Sequence, residues 1–240
     1  MTSTNWNSRS NRIGLFLLAR NKFFRQGVSA AMTQHTDIEI LGECDINAEA
    51  FELVQAVSPR IALVDANPPV LSGISLARHI SQNLPGTATV VLTPYDNDEE
   101  LFQAITSGAV AYLSKDVEPN ELATIIRRIA DDELPVVESL ISRPVILERV
   151  IRHFQNLSLK GRAANSMDGT ITEREAEVLS YVACGYGNKQ IATSFGISEQ
   201  TIKNHMASIL RKLPANDRTH AAVMAIEHGW ISTSIGKDRV

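Results

Sequence analysis

Short apolar runs alternate with amphipathic stretches over the first half of the chain, and this alternation limits the possible fold more than any other feature. The runs have the length of buried β-strands, and they extend from Ile13 to Leu18, Ile38 to Gly42, Ile61 to Val64, Thr89 to Leu92 and Ala111 to Leu113. Continuously apolar strands that alternate with helices indicate a parallel sheet with both faces covered. Such sheets bind their ligands at the carboxyl ends of the strands, so we expect the functional residues there.

The second half of the chain has only helical periods. The stretch "ISRPVILERVIRHFQNL" predicts a connecting helix with Pro144 near its first turn, and the segment from Ser158 to Gly169 is small and polar, as in a flexible linker. We therefore divide the chain into a flexible N-terminal tail (1–12), an α/β domain (13–134), a connecting helix and linker (135–169), a helical domain (170–232) and a C-terminal tail (233–240). Two such domains suit a chain of 240 residues.

The helical domain carries the spacing of a helix-turn-helix. Ala192, Gly196 and Ile202 provide a small residue at a helix crossing, a glycine for the turn and an apolar anchor for the second helix. Ser198 is a natural N-cap for that helix. At the start of the whole helical domain, Thr172 with Glu175 predicts a capping box ahead of the helix that contains Val178, Leu179 and Val182. The apolar stripe of the second helix comprises Ile202, Met206, Ile209, Leu210 and Leu213. The opposite face comprises Gln200, Lys203, Asn204, Ala207 and Arg211. Such side chains suit the edges of bases in a major groove.

Charge is distributed unevenly between the two halves. The whole chain has a net charge of −4, whereas the residues from Ile171 onward include eight basic and seven acidic side chains, for a net charge of +1. The first 170 residues therefore carry −5. This asymmetry suits a domain that docks on phosphates joined to one that does not.

The helical segment resembles the DNA-binding domain of the NarL/FixJ (LuxR-type) transcriptional regulators. The resemblance rests on "ITEREAEVL" followed by "GYGNKQIATSFGISEQTIKNHMASILRKL", and it covers nearly all of residues 170–231. It implies base contacts by Lys203, Asn204 and Ala207. It also implies phosphate contacts by Thr172, Asn188, Lys189, Thr201 and His205, although a surface position without a special role stays open for His205. The last helix would serve dimerisation through Ala221, Met224, Ala225 and His228.

The N-terminal domain resembles a response-regulator receiver, which has a flavodoxin-like (βα)5 fold. Asp65 in "IALVDANPPVLSG" matches the phosphate-accepting aspartate, Thr93 in "VVLTP" matches the switch hydroxyl, and Lys115 in "GAVAYLSKD" matches the phosphate-pairing lysine. Tyr112 matches the aromatic residue that rotates in the switch. The resemblance therefore implies a phosphorylation switch with these four residues in place.

Two further residues depart from the receiver pattern. Receivers normally carry two adjacent acids after the first strand, which help to hold Mg²⁺, and here the matching positions are Ala19 and Arg20. Loss of both acids removes ligands for the cation, and the Arg20 guanidinium can pair with the Asp65 carboxylate. Substitute acids are available in loops at strand ends, namely Asp45, Asp96 and Asp98. We expect these not to restore the site, because a metal site depends on acids at fixed positions.

These patterns predict a DNA-binding regulator whose degenerate receiver works without phosphorylation, in dimerisation or in binding a protein partner or small ligand. A conventional response regulator phosphorylated on Asp65 by a histidine kinase is the alternative, and a third hypothesis is an adaptor whose helical domain binds protein. The expected partners are double-stranded DNA and a second copy of the chain. We expect no enzyme activity, cofactor, metal site or membrane span, and a cytoplasmic location with Cys44 and Cys184 as reduced thiols.

Overall fold

The N-terminal domain is a five-stranded parallel sheet, as its alternating pattern predicts. The computed structural model describes residues 12–66, 70–162, 171–213 and 215–227. The strands are β1 (Ile13–Leu18), β2 (Ile38–Cys44), β3 (Ile61–Asp65), β4 (Ala88–Thr93) and β5 (Ala111–Ser114). They pair in the order β2-β1-β3-β4-β5. The chain order reverses beside β1, so the carboxyl ends of β1 and β3 flank the expected site.

Helices cover both faces of this sheet. They are α1 (Lys22–Met32), α2 (Ala50–Val57), α3 (Val70–Asn83), α4 (Asp98–Thr106) and α5 (Pro119–Ala130). In α5, Leu122, Ile125, Ile126 and Ile129 fall at i, i+3, i+4 and i+7, the period of an amphipathic helix, and all four are buried against the sheet. The predicted (βα)5 flavodoxin-like domain is therefore confirmed.

The connecting segment contains two helices, α6 (Pro135–Ile141) and α7 (Pro144–Arg162). Pro144 begins α7, as predicted, since a proline at the first helical position has no N–H to leave unpaired. The linker predicted from Ser158 starts too early, because α7 continues to Arg162. The rest of that predicted linker, 163–169, and the predicted tails 1–11 and 233–240 lie outside the described residues.

Four further helices follow: α8 (Glu173–Ala183), α9 (Asn188–Phe195), α10 (Glu199–Lys212) and α11 (Arg218–Glu227). The helix-turn-helix prediction is confirmed in detail. Gly196 ends α9 with a positive φ of 65°, Ser198 caps α10 by accepting the Thr201 N–H at 3.1 Å, and Ile202 is fully buried. The sequence therefore sets both the turn and the register of the second helix.

The two domains share one apolar core. Buried residues of α3 and α4 continue through α6 and α7 into α8, α10 and α11. Phe154 of α7 stacks on His220 of α11, with 3.8 Å between the ring centroids, and Thr219 contacts the Ala109 carbonyl ahead of β5 at 3.4 Å. The C-terminal helical domain therefore packs directly against the receiver domain.

The buried carboxylate of Glu175 joins the first and third helices of the C-terminal domain. It accepts hydrogen bonds from the Thr172 N–H at 2.9 Å, from Ser208 at 2.7 Å and from the Lys212 ammonium at 2.7 Å. Burial raises the pKa of Glu175, but the hydrogen bonds from Lys212, Thr172 and Ser208 outweigh it and lower the pKa to about 2. The capping box predicted at Thr172 is therefore part of a larger anionic centre.

We expect Glu175→Gln to destabilise the protein by about 1–3 kcal/mol at pH 7, measured by urea unfolding, because glutamine keeps the cap but loses the charge. Because the pKa of Glu175 is lowered in the folded protein, its carboxylate contributes stability at pH values above the ordinary pKa of glutamate. That contribution disappears as the pH falls toward 2. The difference between wild type and variant should accordingly shrink at pH 3. The exposed Glu173→Gln is the control, and an equal loss in both variants at pH 7 would contradict the assignment.

Candidate functional site

The turn between β1 and α1 is organised by an arginine that sequence reasoning missed. Ala19 is buried and Arg20 is exposed, and Asn21 caps α1 by accepting the Phe24 N–H at 3.1 Å. The guanidinium of Arg25 donates to the carbonyl oxygens of Ala19 and Arg20. A cation on α1 therefore fixes the turn in which a receiver normally places two carboxylates. In the sequence Arg25 is simply a basic residue five positions after Arg20, which does not by itself indicate this role.

Asp65 and Lys115 meet at the carboxyl edge of the sheet, as the resemblance implies. Asp65 is the last residue of β3 and only 1% exposed, and its Oδ1 lies 2.6 Å from Lys115 Nζ. The Lys115 N–H donates to the Thr93 carbonyl at 2.8 Å, which holds the lysine at the end of β5. Its ammonium also lies 4.6 Å from the centre of the Phe24 ring. The expected pairing of Arg20 with Asp65 stays a prediction, whereas the ammonium of Lys115 is in direct contact with the carboxylate.

Thr93 and Tyr112 lie together under the loop that follows β4. The Thr93 hydroxyl contacts the Glu100 carboxylate, and its Oγ1 accepts the Tyr95 N–H at 3.1 Å. The buried Tyr112 hydroxyl donates to the Tyr95 carbonyl at 2.9 Å. Burial raises the pKa of Tyr112, so the phenol keeps the proton that it donates. Glu100 is the second residue that sequence reasoning missed, and it belongs to the first turn of α4.

Two of the three substitute acids are engaged elsewhere. Both oxygens of Asp96 lie 2.7 Å from the guanidinium of Arg143, and Asp98 lies 3.2 Å from it. Arg143 stands between α6 and α7, so it ties the loop after β4 to the connecting segment. Asp45 is exposed.

The donor set does not fit Mg²⁺. Magnesium prefers several oxygen ligands, most often carboxylates and waters, in near-octahedral geometry. Here a buried methyl group and an exposed arginine stand at the two positions that would supply acids, and Lys115 and Arg25 add positive charge nearby. Over the described part of the chain, no group of three or more His, Cys, Asp or Glu side chains is placed to hold a metal ion.

Most of the predicted DNA-contacting face of α10 is open. Gln200, Lys203, Asn204, Ala207 and Arg211 are exposed, whereas the predicted stripe is buried except for Leu210, which is partly buried. Lys203 pairs with Glu199 at 2.7 Å, and the Gln200 amide donates to Asn204 at 3.1 Å. These partners hold the polar side chains in order along the helix surface.

The residues predicted to contact phosphate fall into two groups. Thr172 and Lys189 are exposed, and Thr201 and His205 are partly exposed. Asn188 is only 5% exposed, so the structure does not leave it free for phosphate. Its amide donates to Asp132 at 2.7 Å and accepts from Arg218 at 3.0 Å. In this conformation the receiver covers the start of α9, and the phosphate contact by Asn188 stays a prediction.

The residues predicted to form a dimerisation face on α11 are covered in this conformation, and their role in dimerisation stays a prediction. Ala221, Met224 and Ala225 are buried, since α11 packs against both α8 and α7. His228 lies outside the described residues. The sequence carries a signal for this burial, because the run from Ala221 to Ala225 is apolar on every side, and a helix of that kind is usually covered all round.

Comparison with known proteins matches both halves of this architecture. Residues 20–127 match the response regulator receiver domain, and residues 169–225 match the bacterial regulatory proteins of the luxR family. The transcriptional regulatory protein YxjL of Bacillus subtilis (strain 168) is 34% identical over 221 residues, which cover 92% of this chain and 98% of that protein.

The chain belongs to the LuxR-type response regulators. It is 32% identical to the transcriptional regulatory protein LiaR of Bacillus subtilis (strain 168), over 89% of this chain and 96% of that protein. It is 28% identical to the transcriptional regulatory protein DegU of Brevibacillus brevis, over 92% and 96% respectively. It is thus a DNA-binding transcriptional response regulator of the two-component class. Among the described helices of this regulator, none is long and apolar enough to cross a membrane.

We expect Ala19→Asp combined with Arg20→Asp to give this response regulator a Mg²⁺ affinity that isothermal titration calorimetry can measure. Two carboxylates would then stand beside Asp65, whereas Ala19→Asp alone should do little because the Arg20 guanidinium remains. Ala19→Asn with Arg20→Asn is the matched neutral control. If the double aspartate variant takes up no more Mg²⁺ than this control, the two positions do not account for the lost metal site.

Proposed function

We propose that this response regulator controls transcription by sequence-specific DNA binding, and that its receiver acts without phosphorylation of Asp65. The single observation that carries the proposal is the turn after β1, where Ala19 and Arg20 replace two acids and Arg25 holds the backbone. The receiver then serves to position the DNA-binding domain and to bind a second copy, a partner or a small ligand.

Electrostatics supports the phosphate-independent part of the proposal. Phosphoryl transfer to a carboxylate brings anionic oxygens together. A bridging divalent cation normally supplies most of the charge that offsets their electrostatic repulsion. Without the acids, the cation in direct contact with the acceptor is the Lys115 ammonium, which Asp65 already neutralises at 2.6 Å. Thr93 is likewise engaged, because its hydroxyl contacts Glu100. The groups that would receive a phosphoryl oxygen are therefore occupied by side chains of the protein.

An apolar cavity supports a ligand-binding use of the receiver. It has a volume of about 200 Å³ and lies between α1 and the start of α5, where Phe24, Val28, Met32, Lys115 and Leu122 line it. Lys115 provides the one charged group in this wall, so an occupant would contact the same ammonium that pairs with Asp65. A ligand there could act on the acceptor site without any phosphoryl group.

Dimerisation on DNA remains part of the proposal. A two-fold dimer would favour inverted-repeat half-sites, as helix-turn-helix dimers do. Ala221, Met224 and Ala225 are buried where α11 packs against α8 and α7, so a dimer through this face requires that the packing around α11 first open. We therefore propose a dimer of the DNA-bound form.

Treatment of the full chain with acetyl phosphate and Mg²⁺, followed by intact mass spectrometry, tests the phosphate-independent receiver. We expect no acyl-phosphate on the wild-type protein, the same result as for Asp65→Asn. DNA binding by Asp65→Asn should match that of the wild type, because asparagine keeps an oxygen beside Lys115. Stoichiometric modification of Asp65 within minutes would instead assign the protein to the conventional, kinase-dependent regulators.

For DNA recognition, we expect Asn204→Ala to weaken binding by about 1–3 kcal/mol at a site selected from a random library, with much less loss on unrelated DNA. The reason is that an exposed asparagine on the recognition helix can pair with one base. The control is Lys189→Ala, which should weaken binding to both DNAs alike and lower the salt dependence by about one unit. Equal losses on both DNAs for Asn204→Ala would show that this residue does not read bases.

A further inference from the structure

The connection between α5 and α6 places two carboxylates against the start of α9. We call Asp131–Glu133 the acidic turn. Asp132 has a φ of +62°, a left-handed conformation that aspartate tolerates better than most residues. Its N–H donates to the Ile129 carbonyl at 2.9 Å, and the Glu133 N–H donates to the Arg128 carbonyl at 3.0 Å. The backbone is thereby turned so that both side chains reach the helical domain.

The acidic turn contacts α9 through side chains and through the backbone. Asp132 Oδ2 accepts the Asn188 amide at 2.7 Å, and Glu133 Oε1 accepts the Gln190 amide at 2.8 Å. Next to them, a Cβ on Gly187 would lie 1.9 Å from the Asp131 carbonyl oxygen, so the two backbones meet where only glycine fits. The start of α9 is accordingly covered by carboxylate and carbonyl oxygens.

Cations of the receiver hold the other oxygen of each carboxylate. Arg60 donates to Asp132 Oδ1 at 2.5 Å and to the Ala130 carbonyl at 2.9 Å. Arg128 donates to Glu133 Oε2 at 2.7 Å. Each acid is therefore fixed on the receiver by a guanidinium while its second oxygen faces an amide of α9. The two carboxylates are thereby held against the side-chain amides of Asn188 and Gln190 at the start of α9.

The first turn of α9 is also where an anion from DNA would bind. The unpaired N–H groups and the dipole of a helix N-terminus favour negative charge, and the first helix of a helix-turn-helix crosses the DNA backbone. Asn188 and Lys189 are the residues expected to contact phosphate there. The recognition face of α10 stays exposed, so the acidic turn covers the phosphate-binding end of the motif and leaves the base-reading end open.

We propose that the acidic turn occupies the position of a DNA phosphate at the start of α9. The receiver and DNA then compete for the side-chain amides of Asn188 and Gln190. The proposal rests on DNA binding as proposed above and names the contact that regulates it. DNA must then displace the acidic turn before α9 can reach the backbone. Because the two contacts exclude each other, weakening the docked turn strengthens DNA binding, up to the affinity of the undocked helical domain.

The test measures binding of the full chain to a random-sequence duplex of about 30 base pairs, long enough for two half-sites, by fluorescence anisotropy at fixed salt. Gly187→Ala puts a methyl group against the Asp131 carbonyl without changing any charge. It should separate the domains, increase the radius of gyration seen by X-ray scattering, and bind the duplex roughly five- to a hundredfold more tightly. Gly27→Ala is the matched control, because a Cβ at Gly27 meets nothing within 4 Å.

A second variant removes the charges instead. Asp132→Asn with Glu133→Gln should also bind more tightly, and asparagine tolerates the left-handed backbone at position 132. Its control is Glu49→Gln with Glu52→Gln, which removes two exposed acids at a distance from α9 and so measures the effect of net charge alone.

Two results would overturn the proposal in different ways. If all variants bind DNA and the two interface variants bind no more tightly than their controls, the acidic turn does not compete with DNA, while DNA binding itself stands. If neither the wild type nor any variant binds any duplex even at low salt, the proposed function fails and the competition fails with it.

Discussion

Burial of apolar surface by α7 is the constraint on which the arrangement of the two domains depends. This helix is long enough to pack against α4 of the receiver and against α11 of the C-terminal domain. Its Phe154 stacks on His220, and burial lowers the pKa of that imidazole to about 4, so the ring is neutral and suits an apolar contact. Because the same helix contributes to both cores, the domains cannot separate without exposing part of each.

The same segment reaches the edge of the sheet where a receiver keeps its switch. Arg143 holds Asp96 and Asp98 in the loop after β4, and Arg149 pairs with Glu99 at 2.6 Å while stacking on Phe102. These exposed pairs contribute little stability individually. Their effect is geometric, since they attach the loop that contains the Thr93 contacts to the helix that covers α11. A change at the acceptor site and a change at α11 therefore involve one continuous set of contacts.

The sequence predicted whatever depends on local periodicity. Strand positions, the stripe of α5, the capping box at Thr172 and the turn at Gly196 follow from neighbouring residues, and all are present. The resemblance also matched Asp65 and Lys115 to residues of one receiver site, and their side chains are in contact. The burial of Asn188 and of the α11 face was not expected from the sequence, because it comes from segments that are distant in the chain, such as α7 and the acidic turn. Arg25 was missed because its role is to bind two carbonyl groups, which no side-chain pattern reveals.

Gly187 has a consequence for the use of these domains as separate parts. Response-regulator domains are attractive units for building chimeric sensors, in which one receiver is exchanged for another. Here Gly187 of the helical domain, which has no Cβ, lies against the carbonyl group of Asp131. This fit depends on the left-handed backbone of the next residue, Asp132. A chimera made from a receiver with a different turn would keep both folds and lose this fit. The useful fusion point therefore lies before the acidic turn, so that Asp131–Glu133, α6 and α7 are kept together with the C-terminal domain.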